Sequence, residues 1–149
     1  MKNAPILICY DDTSGSRRAI AAAAELLGPR RAVVVDVFPV MTPEESKTLT
    51  TTGAPGASFG NVNEEAALEQ ASIGAAHARE AGFEAEAYAA LGGPTWKAIT
   101  QIADEIDAAV IVIGSRGFTG LREAVEGSVS HMVAEHAHRP VLIVPPGLT

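Results

Sequence analysis

Ala109-Val110-Ile111-Val112-Ile113, followed by Gly114-Ser115-Arg116-Gly117, is the stretch that decides the fold. An unbroken apolar run rich in β-branched residues reads as a strand covered on both faces, the pattern of a parallel sheet between helices. The glycines behind it read as a loop leaving the carboxyl end of that strand. On the amino-terminal side, Trp96, Ile99, Ala103 and Ile106 recur at helical spacing and give one apolar stripe for core packing. On the other side, Ser128 opens a helix that carries Val129, Met132, Val133 and His136 on one face. Pro140-Val141-Leu142-Ile143-Val144 is the last strand, ended by Pro145-Pro146.

The same alternation holds further out. Ile6-Leu7-Ile8-Cys9-Tyr10 is a second buried strand, closing at Asp11-Asp12. Thr13 or Ser14 caps a helix that runs to Leu27, and Gly28-Pro29 stops it. Ala32 to Phe38 is another strand. Residues 39–60 hold three Pro and three Gly and read as a long, flexible surface loop. Asn61 offers an N-cap with Glu64 three residues on, starting a helix to about Ala81. Phe83 to Tyr88 alternates apolar and polar residues, as an edge strand with one wetter face does. The order is βαβαβαβαβ. It implies one α/β domain over residues 1–149, a three-layer sandwich with four helices around a five-stranded parallel sheet. Order 3-2-1-4-5 places the first and fourth strands side by side.

Composition narrows the partners. The 149 residues are 47% hydrophobic and 19% charged, with formal charge −7 and pI near 5.0. An acidic chain of this kind is a poor general binder of nucleic acid or of anionic lipid. The single cysteine, Cys9, leaves no internal disulfide and reads as a small core residue. The first ten residues lack a signal-peptide pattern, and no apolar stretch reaches the ~18 residues of a membrane span. A cytoplasmic location is therefore expected. His131, His136 and His138 do not present one face for a metal, so no metal site is expected there.

In open α/β sheets, ligands bind beyond the carboxyl ends of strands where the winding reverses. Two polar strand ends meet there, Asp11-Asp12-Thr13-Ser14 and Gly114-Ser115-Arg116-Gly117. The second continues through Gly120 to Gly127-Ser128 at a helix start. Glycines let backbone approach a ligand, and backbone N–H groups at such a turn and helix start hold anions. Arg116 and Arg122 add charge-assisted contacts to phosphate. The pattern is neither a Walker A loop nor the dinucleotide GxGxxG.

Gly114-x2-Gly117-x9-Gly127-Ser128 resembles the ATP-binding motif of universal stress proteins. The resemblance extends over Ile111 to Gly117, Gly127 to Ser130, Arg139 to Pro145, and Ile6 to Asp11 with Ser16-Arg17-Arg18-Ala19. It covers nearly the whole chain outside residues 39–60. One departure is Asp12-Thr13, where the family usually has Gly-Ser; it adds a carboxylate. The resemblance implies that Asp11 contacts the nucleoside and that Val37 meets adenine through its backbone. It implies that Gly114 and Gly117 line ribose and phosphates, with Arg116 between them. Gly127, Ser128 and Val129 would hold the triphosphate, with Ser130 nearby. ATP, carried with Mg²⁺, is the implied ligand. A homodimer through the last strand, Val141, Leu142, Ile143 and Val144, is the implied assembly.

The function implied is an ATP-binding regulator that senses nucleotide state in a stress response. Two alternatives stand beside it: a slow ATPase or autophosphorylating enzyme, and an interaction module with a vestigial site. The chain lacks a Walker lysine and a base held by a second residue, so at most slow turnover is expected. A response-regulator receiver needs a phosphoacceptor aspartate ending its third strand and a late lysine. Asp36 lies inside the second strand, and Lys97 is the last lysine.

Overall fold

The structure, a computed structural model, describes residues 4–39, 59–115 and 129–145. Five strands and, among the described residues, four helices alternate along the chain: β1 (Ile6–Cys9), α1 (Ser14–Leu27), β2 (Arg31–Pro39), α2 (Phe59–Glu80), β3 (Glu84–Gly92), α3 (Thr95–Ile106), β4 (Ile111–Gly114), α4 (Val129–His136) and β5 (Val141–Val144). The strands form one parallel sheet in the order β3-β2-β1-β4-β5. This is the expected order.

The period of two in β1 builds both cores. Ile6, Ile8 and Tyr10 pack with Ala19, Ile20, Ala23, Ala75 and Ala78, the sheet-facing side chains of α1 and α2. Leu7 and Cys9 point the other way, with Ile99, Ala103, Val129 and Val133 of α3 and α4. All five β1-run side chains from Ile6 to Tyr10 are fully buried. Burial on this scale, at ~25 cal/mol per Å² of apolar surface, is what drives the layers together. The Cys9 thiol is pushed far up by this burial, with the Asp11 charge adding to it, so it stays a protonated core group.

Local chemistry fixes the element ends. Thr13 is the N-cap of α1: its Oγ1 accepts from Ser16 N at 3.2 Å, and Ser16 returns a bond to Thr13 N, completing a capping box. Gly28, at φ +73°, ends the helix. On the opposite layer, Trp96 of α3 stacks on His136 of α4, ring centroids 4.4 Å apart.

Most boundaries fall within one or two residues of the sequence reading, and two differ in ways that pairing and packing explain. β3 continues past Tyr88 to Gly92, because every residue from Arg31 to Pro39 on β2 offers it a ladder partner. Pairing overrides the weak strand preference of Ala89 and Ala90. α2 starts at Phe59, so residues 59 and 60 of the expected 39–60 loop are helical. An N-cap at Asn61 is not needed where the preceding turn already continues the helix. The rest of that loop call, residues 40–58, lies outside the described residues.

α2 reaches the sheet through Gly74. A Cβ built there would lie 2.6 Å from Cγ of the buried Tyr10 ring and 2.9 Å from Cγ1 of Val34. Gly74→Ala gains ~1 kcal/mol of helix propensity but forces Tyr10 or the helix to shift. A net loss of ~1–2 kcal/mol is expected from overpacking. Urea unfolding checks it; an unchanged or stabilised variant contradicts this close approach.

Candidate functional site

Asp11 follows β1 directly, and the β1–β2 register of Cys9 with Val35 brings it level with Val37. The β1–β4 register of Ile8 with Val112 brings Tyr10 level with Gly114 at the end of β4. So Asp11, Val37 and Gly114 lie at neighbouring strand ends, where the winding reverses. Val129 and Ser130 are buried at the start of α4. Val129 packs into the α3–α4 core, so its side chain is committed and its backbone alone is left for a ligand. Arg116, Gly117, Arg122, Gly127 and Ser128 lie outside the described residues.

The turn after β1 holds Asp11 rigidly. Thr13 Oγ1 and Thr13 N both donate to Asp11 Oδ1, at 2.5 and 3.2 Å. Asp11 N donates to Ser16 Oγ at 3.4 Å. One carboxylate oxygen is thereby fixed by the helix cap. The other, Oδ2, is buried and has no hydrogen-bond partner among the described residues. A buried acceptor left unmade costs roughly 1–3 kcal/mol, which a ligand donor can recover.

Asp12 takes the left-handed backbone, at φ +60°. Aspartate tolerates that region better than most residues. Its side chain is tied down: Tyr10 Oη donates to Oδ1 at 2.7 Å and Arg17 Nη1 at 3.2 Å. The Arg17 pair is exposed and contributes little by itself. Burial, first, and the bond to Asp12 push the Tyr10 phenol up to about 12. The extra carboxylate is thus partly neutralised and directed at Tyr10 and Arg17.

Asp36, seen from sequence only as a strand residue, is the surprise of the site. It is 7% exposed, on the α1–α2 side of β2, and Gln70 Nε2 of α2 donates to its Oδ2 at 2.8 Å. Burial, first, and the neighbouring Asp11 charge raise its pKa to about 7, against the hydrogen bonds from Val37 and Gln70 that lower it. The sequence signal was a single acid within Val33-Val34-Val35-Asp36-Val37-Phe38, where buried polar groups need a partner. The partner, Gln70, could not be found by motif, because it stands on the next helix.

Among the described residues, no three His, Cys, Asp or Glu side chains converge. His131 Nε2 lies 3.7 Å from Glu135 Oε2, and His136 Nδ1 lies 2.9 Å from the Met132 carbonyl. No helix among the described residues is long and apolar enough to cross a membrane.

A carboxyl of ordinary pKa 3.8 raised to about 7 weakens the folded state as pH rises. Between these values the folded protein keeps a proton that the unfolded chain releases, so stability falls with rising pH and the loss is complete above pH 7. Asp36→Asn removes that dependence. The variant is expected to gain on the order of 2–4 kcal/mol over wild type on going from pH 4 to pH 8. Urea unfolding of both proteins at the two pH values measures it; equal pH slopes rule out a raised Asp36.

Residues 2–145 match the sequence profile described as the Universal stress protein family. Universal stress protein YxiE of Bacillus subtilis is 45% identical over 67 residues, which is 45% of this chain and 45% of that protein. The chain spans about half the length of the curated relatives it matches. The solved structure of hypothetical protein MJ0577 covers 100% of both chains at 22% identity, with a TM-score of 0.72. The universal stress protein from Archaeoglobus fulgidus in complex with dAMP covers 97% of this chain and 99% of its own, at 23% identity and a TM-score of 0.63. A universal stress protein in complex with cAMP covers 95% and 96%, at 22% identity and a TM-score of 0.63. These structures share the fold. With the profile spanning all the strands and helices described above, the chain belongs to the universal stress protein family.

Proposed function

We propose that this chain binds an adenine nucleotide in the crevice between the carboxyl ends of β1 and β4 and acts as a nucleotide-sensing regulator in stress response. Asp11 is the observation that carries this reading. Its Oδ1 is locked by Thr13 while its buried Oδ2 lacks a partner among the described residues. An acceptor held and desolvated in this way suits a hydroxyl or amino donor of a nucleoside. The position also fits the rule for ligand crevices in open α/β sheets. Relatives of the same fold in complex with dAMP and cAMP support the ligand class.

ATP is the ligand this reading favours. Gly114 and Gly117 would line its ribose and phosphates, and Gly127, Ser128, Val129 and Ser130 would present backbone and hydroxyl donors to the triphosphate. Arg116 would add a cation. Mg²⁺ carried on the phosphates would supply charge screening in a protein of net charge −7. Titration calorimetry with ATP and Mg²⁺ tests the reading. Gly117→Val and Gly127→Val are each expected to weaken binding at least tenfold, or by ~1.4 kcal/mol. Wild-type affinity in both folded variants removes the glycine loop from the site.

The assembly that fits is a homodimer through β5. Among the described residues that strand pairs only with β4, and Ile143 is 37% exposed on it. An apolar edge strand with unpaired backbone groups favours pairing with a second copy. Val144 packs into one core and Val141 against the other, so Ile143 is the position that tests pairing without emptying the interior. Ile143→Asp is expected to give a folded monomer in light scattering; a monomeric wild type excludes the β5 dimer.

A further inference from the structure

Asp36 is a buried carboxyl to which the nucleotide reading gives no role, yet it stands under the proposed crevice. It immediately precedes Val37, and the Asp11 charge acts on it across the β1–β2 pair. Gln70 Nε2 holds its Oδ2 at 2.8 Å, and the Val37 backbone N–H donates to the same carboxyl. One side chain therefore connects α2, the end of β2 and the neighbourhood of Asp11.

The groups around it are few. β1 supplies Tyr10, whose hydroxyl is turned to Asp12, and Asp11 beyond it. β3 supplies Ala89, the register partner of Asp36. α2 supplies Gln70 and, further along, His77, whose ring centroid lies 6.2 Å from that of Tyr10. Glu64, Glu65 and Glu69 of α2 are exposed. The Asp12–Arg17 ion pair caps the turn into α1, and α3 packs on the opposite face of β2, against Val35. Among the described residues, Asp11 is the charge that acts on Asp36.

We propose that Asp36 is a positioning residue of the nucleotide crevice: the ligand binds with this carboxyl neutral and held to Gln70, leaving Asp11 as the charge offered to the nucleoside. The proposal rests on the nucleotide reading above. Its physical basis is that a ligand carrying phosphate expels water from a crevice that holds Asp11, with Asp36 buried beneath it and subject to the Asp11 charge. Two anions that act on one another in this way cannot both stay ionised without cost, and removing water raises that cost. Both carboxyls accept hydrogen bonds, Asp11 from Thr13 and Asp36 from Gln70, but Asp36 is buried while Asp11 is only half-buried, so Asp36 is the one that takes the proton. Above neutral pH, one proton passes from the buffer to Asp36 as the ligand enters. Burial and Asp11 hold this carboxyl at about 7 in the free protein, so both forms are populated near neutrality.

Calorimetry of the full chain with AMP tests this. AMP's own phosphate titrates near pH ~6, identically for every variant. Between pH 6.5 and 8.5 the fraction of neutral Asp36 falls roughly 25-fold, and the wild-type Kd should rise by the same factor. Asp36→Asn, the isostere of the neutral acid, should bind at both pH values with the wild-type affinity of pH 6.5. A second measurement needs no variant: at pH 8.0, binding heats in two buffers of different protonation enthalpy should report uptake of close to one proton. Tight AMP binding with a level wild-type profile and no proton uptake overturns the role of Asp36 and leaves the nucleotide reading standing. An Asp36→Asn variant weakened equally at every pH overturns it too, since that is a structural effect. If AMP does not bind, the same titrations are run with ATP, whose failure to bind at any pH removes the nucleotide reading, and this proposal with it.

Discussion

Strand β1 is hydrogen-bonded along both edges and covered on both faces, and the molecule is organised around that confinement. A strand flanked by β2 and β4 forces the chain to wind outward in one direction, return across the sheet, and wind outward in the other. Right-handed crossovers then put α1 and α2 on one face and α3 and α4 on the opposite face. The alternation of Ile6, Ile8 and Tyr10 with Leu7 and Cys9 matches this division residue by residue. A one-residue slip would swap every β1 side chain between two cores of different shape. The same reversal opens the gap beyond β1 and β4 in which Asp11 sits.

The fold was legible because its signals are local and repeated. Uninterrupted apolar runs such as Ile6–Tyr10 and Ala109–Ile113, with Gly28 and Gly82 as stops, specify strands and helix ends with little competition. The alternation of elements then leaves few topologies. Boundaries were less legible where tertiary pairing decided them. The extension of β3 through Ala89 and Ala90 depends on β2 being nine residues long, which no window around β3 contains. The placement of Asp11 and Gly114 at neighbouring strand ends was legible, since strand ends are visible in sequence, whereas Val37 came only from the family resemblance. Asp36 and Gln70 were not, because their bond joins residues 34 positions apart. Nor does sequence spacing reveal that Thr13 caps α1 and fixes Asp11 at once.

The crevice holds an electrostatic tension. An acidic chain presents two neighbouring carboxylates, Asp11 and Asp12, where an anionic ligand is proposed to bind. The structure separates their environments. Asp12 is exposed and engaged by Tyr10 and Arg17, while Asp11 has one oxygen served by a helix cap and one without a partner. Adjacent acids in one turn thus have different chemical availability. The backbone turns left-handed at Asp12, between the two environments.

The stacking of Trp96 on His136 has a practical consequence. Trp96 is the single tryptophan of the chain, and it reports on the contact between α3 and α4. Its fluorescence is therefore a local signal from one layer, whereas far-ultraviolet circular dichroism averages both. Loss of the two signals at the same denaturant concentration would mean that the layers melt as one cooperative unit. Separated midpoints would mean that the α3–α4 layer can loosen while α1, α2 and the strands they cover remain folded.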